Sequence, residues 1–182
     1  MRALVLRDFG DLTVEARPDP VPGPGEALVR ITATGICGSD LHGFTGESGR
    51  RAPGQVMGHE TVATVHTASG TGGPPAGSVV TVNPVLYCGR CPTCRAGREQ
   101  ACPDKKVIGV HPEVSSAFAE LMAVPARNLV ELPGTMPVEY GALVEPLAVG
   151  YHALRRGDCG SGDTVLVVGA GPIGQACVLA AR

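Results

Sequence analysis

Residues 26–42 read EALVRITATGICGSDLH. The first part has the alternation of a half-buried strand, and that strand runs straight into Cys37 and the glycine-flanked segment CGSDLH. A cysteine after a strand is, taken alone, usually a small buried hydrophobe. Further along, GHE (58–60) is read as closing another strand-like run; its His–Glu pair alone has an equally plain explanation, a surface hydrogen bond. With EPLAVG (145–150), however, these stretches bring together Cys37, His59, Glu60 and Glu145, all in what read as glycine-flanked turns. One thiolate, one imidazole and two carboxylates are enough for three protein ligands with a fourth position left open, which is what a catalytic zinc needs.

Working outward, ALVLR and LTVEAR read as a hairpin around the turn DFGD, followed by a Pro/Gly loop, RPDPVPGPGE, that cannot be helix. HETVATVHTA and GSVVTVNPVL are two further β-rich runs separated by SGTGGPPAG, and AFAELMAV and NLVEL are short strands. Tyr140, Leu143, Leu147, Tyr151 and Leu154 recur at steps of three and four, a helical stripe within residues 137–156. The layout is mainly β with one or two helices. The abundance of glycine (26) and proline (16) in 182 residues fits short strands and many turns rather than long helices.

Net charge is −2, and no run of Lys or Arg marks a nucleic-acid or membrane face. The N-terminus MRALVLRDFG shows no secretory signal, which points to the cytoplasm and makes the seven cysteines metal ligands or buried thiols rather than a disulfide framework. Cys88, Cys91, Cys94 and Cys102 form C-x2-C-x2-C-x7-C, in a stretch with almost no apolar content. Four thiolates with no water position describe a closed structural zinc site; paired disulfides and an iron–sulfur cluster are the rivals. Arg90, Arg95 and Arg98 offset the negative charge of such a centre. Cys159 and Cys177 read as free thiols, His66 as solvent-facing, and His152 carries no assignment.

Residues 164–181 are apolar enough to raise a membrane span, but the interior glycines fit another purpose. Gly169, Gly171 and Gly174 form G-x-G-x-x-G directly after TVLVV and before a helix, the context in which this motif cradles a pyrophosphate; Pro172 and Ile173 lie inside it. A dinucleotide fold needs two βαβ halves, and the acidic or basic residue selecting NAD or NADP lies roughly 20 residues beyond the glycines. The expectation is therefore a truncated cofactor domain that does not bind a dinucleotide tightly by itself. TVLVV, a buried strand in complete folds of this kind, is expected here without neighbours and prone to self-association.

The motifs GICGSDLH, PGQVMGHE, the CGRC-PTC lobe, EPLAVG and VLVVGAGPIG occur in the order seen in medium-chain zinc-dependent alcohol/polyol dehydrogenases. The sequence resembles their N-terminal half over essentially its whole length, and within them the sorbitol, idonate and threonine dehydrogenase branch. The resemblance implies a GroES-like barrel over 1–155, with a zinc lobe at 86–104, and the start of a Rossmann domain over 156–182. It implies that Cys37 and His59 ligate a catalytic zinc, that Glu60 and Glu145 compete for or share the remaining position, and that Asp40 orients His59 from behind. Ser39 and His42 would relay the alcohol proton to solvent, and Gly169, Gly171, Pro172, Ile173 and Gly174 would meet NAD or NADP. It also implies two zinc ions, a small alcohol, polyol, sugar acid or amino alcohol as substrate, and a homodimer or homotetramer at full length. His111, in a GVH that polyol-branch relatives often show, is a candidate border of the substrate pocket. The sequence departs from relatives at PEVSSAFAE (112–120), where they carry a glycine-rich turn. The other reading is a non-catalytic zinc-stabilised GroES-like module, or the relic of a shortened gene.

Overall fold

The computed structural model describes residues 1–114 and 116–182, so the departure at 112–120 falls partly outside the described residues, at position 115. The chain opens with an antiparallel hairpin, β1 (Arg2–Asp8) and β2 (Asp11–Ala16), closed by the expected two-residue turn with Gly10 at φ 84°. After the proline loop come β3 (Glu26–Gly35), a short helix α1 (Gly38–Phe44), β4 (Glu60–Thr67) and β5 (Val79–Val82). Then β6 (Val85–Leu86), α2 (Pro92–Arg95) and β7 (Lys106–Val107) carry the cysteine lobe. The order continues with β8 (Leu121–Pro125), β9 (Leu129–Glu131), α3 (Val144–Arg156) and α4 (Pro172–Ala180).

Five strands form one antiparallel sheet in the order β8-β3-β4-β5-β9. The hairpin is stitched to it by bridges Ala3–Ala119 and Val5–Val56, giving the curled, barrel-like body expected of the sequence. The core is aliphatic and follows the strand period: Ala27 and Val29 on β3, Ala63 and Val65 on β4, Val80 and Val82 on β5, Met122 and Val124 on β8. The central strand β4 is covered on its other face too, where the 3-10 segment Val138–Leu143 brings Gly141 against Val62.

The expected run GSVVTVNPVL is split at Asn83–Pro84, because proline cannot donate to a ladder. Asn128 clamps the break: buried, it donates from Nδ2 to the carbonyls of Asn83 and Val85, both at 2.8 Å. The lobe then hangs from the β6–β7 pair, and Arg127 lies 5.1 Å over the Tyr87 ring while donating to the Tyr87 carbonyl.

Three readings need correction. CGSDLH is not a turn but the start of α1, with Cys37 at its N-cap. GHE opens β4 rather than closing a strand, and Glu145 sits in the first turn of helix α3. TVLVV, by contrast, lacks neighbours as expected: among the described residues nothing pairs with 164–168, and Leu166 (87%) and Val168 (90%) are exposed, since an apolar segment has nothing to bury against without neighbouring strands. The helical stripe divides between the 3-10 segment, with Tyr140 and Leu143, and α3, with Leu147, Tyr151 and Leu154; the first four face outward and Leu154 is half-buried. Helix α4 starts at Gly171 with Pro172 at its first position and packs its Ala176 against Gly150 of α3. Among the described residues no helix is long and apolar enough to cross a membrane.

Candidate functional site

Two groups of donors converge among the described residues. In the lobe, the Sγ atoms of Cys88, Cys91, Cys94 and Cys102 all lie within 4.8 Å of one another. Three of the separations are 3.6, 3.9 and 4.0 Å (Cys102–Cys88, Cys88–Cys94 and Cys91–Cys102). A single zinc at about 2.3 Å from each sulfur requires edges of about 3.8 Å, so the geometry fits one tetrahedrally held ion. No disulfide pairs them, or any of the seven cysteines. Local turns set the spacing: the amides of Cys91 and Cys94 point at the sulfurs of Cys88 and Cys91, both at 3.4 Å, through the start of α2. Backbone amides of Arg90 and Cys91 pull the Cys88 thiol down to about 6, while burial and the other thiols push Cys94 up to about 12. The lobe's Arg90, Arg95 and Arg98 are exposed around it.

The second group is Cys37 Sγ, a His59 ring nitrogen and a Glu60 carboxylate oxygen, also mutually within 4.8 Å. Cys37 lies two residues past the end of β3, and Glu60 is paired in register with Gly35 across the β3–β4 ladder. A Cβ at position 35 would collide with the Glu60 carboxylate, so this glycine gives the side chain its room. Gly58, at φ 96°, brings His59 in: a side chain there would meet the Phe118 ring at 2.6 Å. His59 is buried, and Cys37 and Glu60 are half-buried.

Asp40 ties the group together. Its Oδ2 accepts the Cys37 amide at 3.1 Å, one half of a capping box, and its Oδ1 lies 3.7 Å from His59 Nδ1 and 3.6 Å from the Arg51 guanidinium. Glu145 stands outside the converging set, but its carboxyl is pushed up to about 7 by burial, with Glu60 and Asp40 adding their repulsion. It lines a cavity of about 670 Å³ with Asn83, Val85, Ala148 and His152. Ser39 is half-buried, and exposed His42 meets Glu47 Oε2 at 2.9 Å through Nδ1. Both line one groove of about 500 Å³. His111 is half-buried and lines the neighbouring groove; His66 and His152 are exposed.

At the C-terminal motif, Gly169 has φ 102° and Gly171 caps α4. Gly174 lies so close to the Gly169 carbonyl that no side chain fits, the close turn–helix packing this motif needs. The buried Arg51 was not legible as a site residue, since RR before GHE reads as exposed charge.

Residues 23–134 match the alcohol dehydrogenase GroES-like domain. L-galactonate-5-dehydrogenase of Escherichia coli K12 is 37% identical over all of this chain and 53% of its own length. Galactitol-1-phosphate dehydrogenase of Escherichia coli superposes with a TM-score of 0.92 at 30% identity, over 100% of this chain and 52% of that one. An alcohol dehydrogenase of Escherichia coli CFT073, solved with NADH, gives 0.90 at 32% identity over 98% and 52%. The chain thus spans about half the length of the relatives it matches. From the sheet, the two cysteine-containing donor sets and these matches together, the chain belongs to the medium-chain zinc-dependent dehydrogenases, through their GroES-like domain.

Proposed function

We propose that the chain is the metal- and substrate-binding part of an NAD(P)-dependent dehydrogenase that moves a hydride between a polyol, sugar acid or amino alcohol and a nicotinamide. The observation that carries this reading is the convergence of Cys37, His59 and Glu60 within 4.8 Å, separate from the cysteine lobe. One thiolate, one imidazole and one carboxylate suit zinc with a fourth position open. Glu60 takes the protein position and Glu145 waits beside it. The lobe holds a second, structural zinc, and its thiolates suit a reducing compartment such as the cytoplasm.

A zinc ion held by the first set supplies Lewis acidity, easing loss of an alcohol proton and polarising a carbonyl. The chain's own residues do the rest. Asp40 holds the Cys37 amide and faces His59 Nδ1, which leaves Nε2 for the metal and keeps the ligand pair in place. The Ser39 hydroxyl takes the substrate proton and passes it toward His42, whose Nδ1 meets Glu47 at the surface. The turn at Gly169–Gly174 is shaped for a pyrophosphate at the start of α4. Residues 1–155 form the catalytic unit with the lobe at 86–104, and 156–182 begin the cofactor unit. By itself the chain is expected not to oxidise a polyol, because 164–168 lacks the paired strands that a dinucleotide site rests on.

Native mass spectrometry of the purified chain tests the reading directly. Two zinc ions per chain are expected; a single zinc, removed by substitution of a lobe cysteine but not of His59, overturns the catalytic assignment in favour of a zinc-stabilised module.

A further inference from the structure

Two grooves beside the proposed relay meet along Arg50, Arg51 and Val110. The first, about 500 Å³, carries Ser39, His42 and Glu47 on its walls; the second, about 370 Å³, carries Lys105, Lys106 and His111. The charges there do not cancel. Lys106 meets Glu113 at 2.9 Å, His42 meets Glu47 at 2.9 Å, and Arg51 faces Asp40 at 3.6 Å. Among the described residues no carboxylate lies within ion-pair reach of Arg50 or Lys105, and Lys105 Nζ touches only the Gln100 carbonyl, at 2.6 Å. In a chain of net charge −2, this is a local cationic surplus.

Arg51 provides an independent observation. Its side chain is 1% exposed and lines both grooves, yet its protein contacts are all long. Nη1 reaches the Val110 carbonyl and Nη2 the Ser39 carbonyl at 3.5 Å, and Nε has no partner. N–H···O bonds cluster near 2.9 Å, so this buried guanidinium keeps hydrogen-bonding capacity that its surroundings leave unused. An oxyanion is the ligand that such a group, flanked by two further cations, recognises.

We propose that the joined grooves are an anion subsite, in which Arg50 and Lys105, with Arg51 behind them, hold the oxyanion end of the substrate, a carboxylate or a phosphate monoester. Ser39 lies on the same groove wall, so the reacting hydroxyl and the charged end are read side by side. The subsite itself stands on the grooves alone; calling its ligand the substrate's end rests on the dehydrogenase reading. It makes a hydroxy acid, amino acid or polyol phosphate the substrate class, in preference to a neutral alcohol.

The test titrates the zinc-loaded full chain with inorganic phosphate, with acetate and with neutral glycerol, following backbone amide shifts. Saturable shifts confined to 49–51 and 105–111 are expected for at least one anion and none for glycerol. Stronger phosphate binding names a phosphate end, and acetate binding as strong or stronger names a carboxylate. Arg50→Gln and Lys105→Gln, both at exposed positions, should each weaken the anion by about three- to tenfold. No saturable shift with either anion, or undiminished binding in both variants, overturns the proposal. The zinc count of the same sample separates the two readings. Two zincs without anion binding defeat the subsite alone, and one zinc with anion binding defeats the dehydrogenase reading while the subsite stands.

Discussion

In the cysteine lobe, all four donors come from one short stretch, Cys88 to Cys102, and their spacing is set by amides one turn away. In the other donor set, Cys37 follows β3 while His59 and Glu60 open β4, and the β3–β4 ladder with α1 and Gly58 brings them together. The first site is held by local geometry and has little core beneath it, so a bound metal is expected to stabilise it. The second is placed by the sheet, so its donors are expected to assemble with or without metal. This difference predicts which site controls stability and which controls chemistry.

The sharpest break comes from Cys102→Ser. Zinc binding by structural sites is worth about 10–16 kcal/mol in small peptides, so losing a ligand should release the lobe ion and expose 88–102 to protease. Limited proteolysis with a zinc count reads both effects, and a lobe that stays protected without its ion would refute the local-metal account. His59→Gln should instead remove only the other ion and leave the lobe protected, as the same two assays would show. Simultaneous loss of both ions would mean that the sites are not independent.

Gly58→Ala tests whether the sheet places the second set. A side chain at φ 96°, pressed on the Phe118 ring, should cost roughly 2–4 kcal/mol, visible as a lower urea midpoint at unchanged slope. An unchanged midpoint would show that Gly58 is not required. Asp40→Asn keeps the shape but weakens the carboxylate that faces His59 Nδ1 and Arg51. The second zinc should bind about 10- to 100-fold more weakly, measured by competition with a chelator, while the lobe affinity stays unchanged. The smallest effect is expected at the exposed 164–168 segment, where Leu166→Lys with Val168→Lys should shift sedimentation toward monomer without touching either zinc count.

Much of this was readable in one dimension. The strands announced themselves by alternation, and the hairpin turn by its glycine, because a strand's two faces meet different solvents. The lobe was readable because all its ligands are neighbours in the chain and only cysteine appears among them. Glu60 and Glu145 could not be separated by reading. Either carboxylate could complete the donor set as far as residue type goes, and only the position of Glu60 opposite Gly35 puts its carboxylate among the other donors. Arg51 escaped for the opposite reason: a charged pair in a loop reads as surface, and its burial against α1 and Val110 is a property of packing.

The mainly β architecture, the four-thiolate lobe and the grouping of Cys37 with His59 could be read from the chain, since these rest on local period, local spacing and motif order. Three features come only from the folded chain: Cys37 caps a helix, Glu60 rather than Glu145 joins the converging donors, and Arg50, Arg51 and Lys105 line joined grooves. These depend on ladder register and on packing, as where the Glu60 side chain lies over Gly35 and the Phe118 ring over Gly58, so that chain segments distant in sequence meet at distances that no pattern of neighbours encodes.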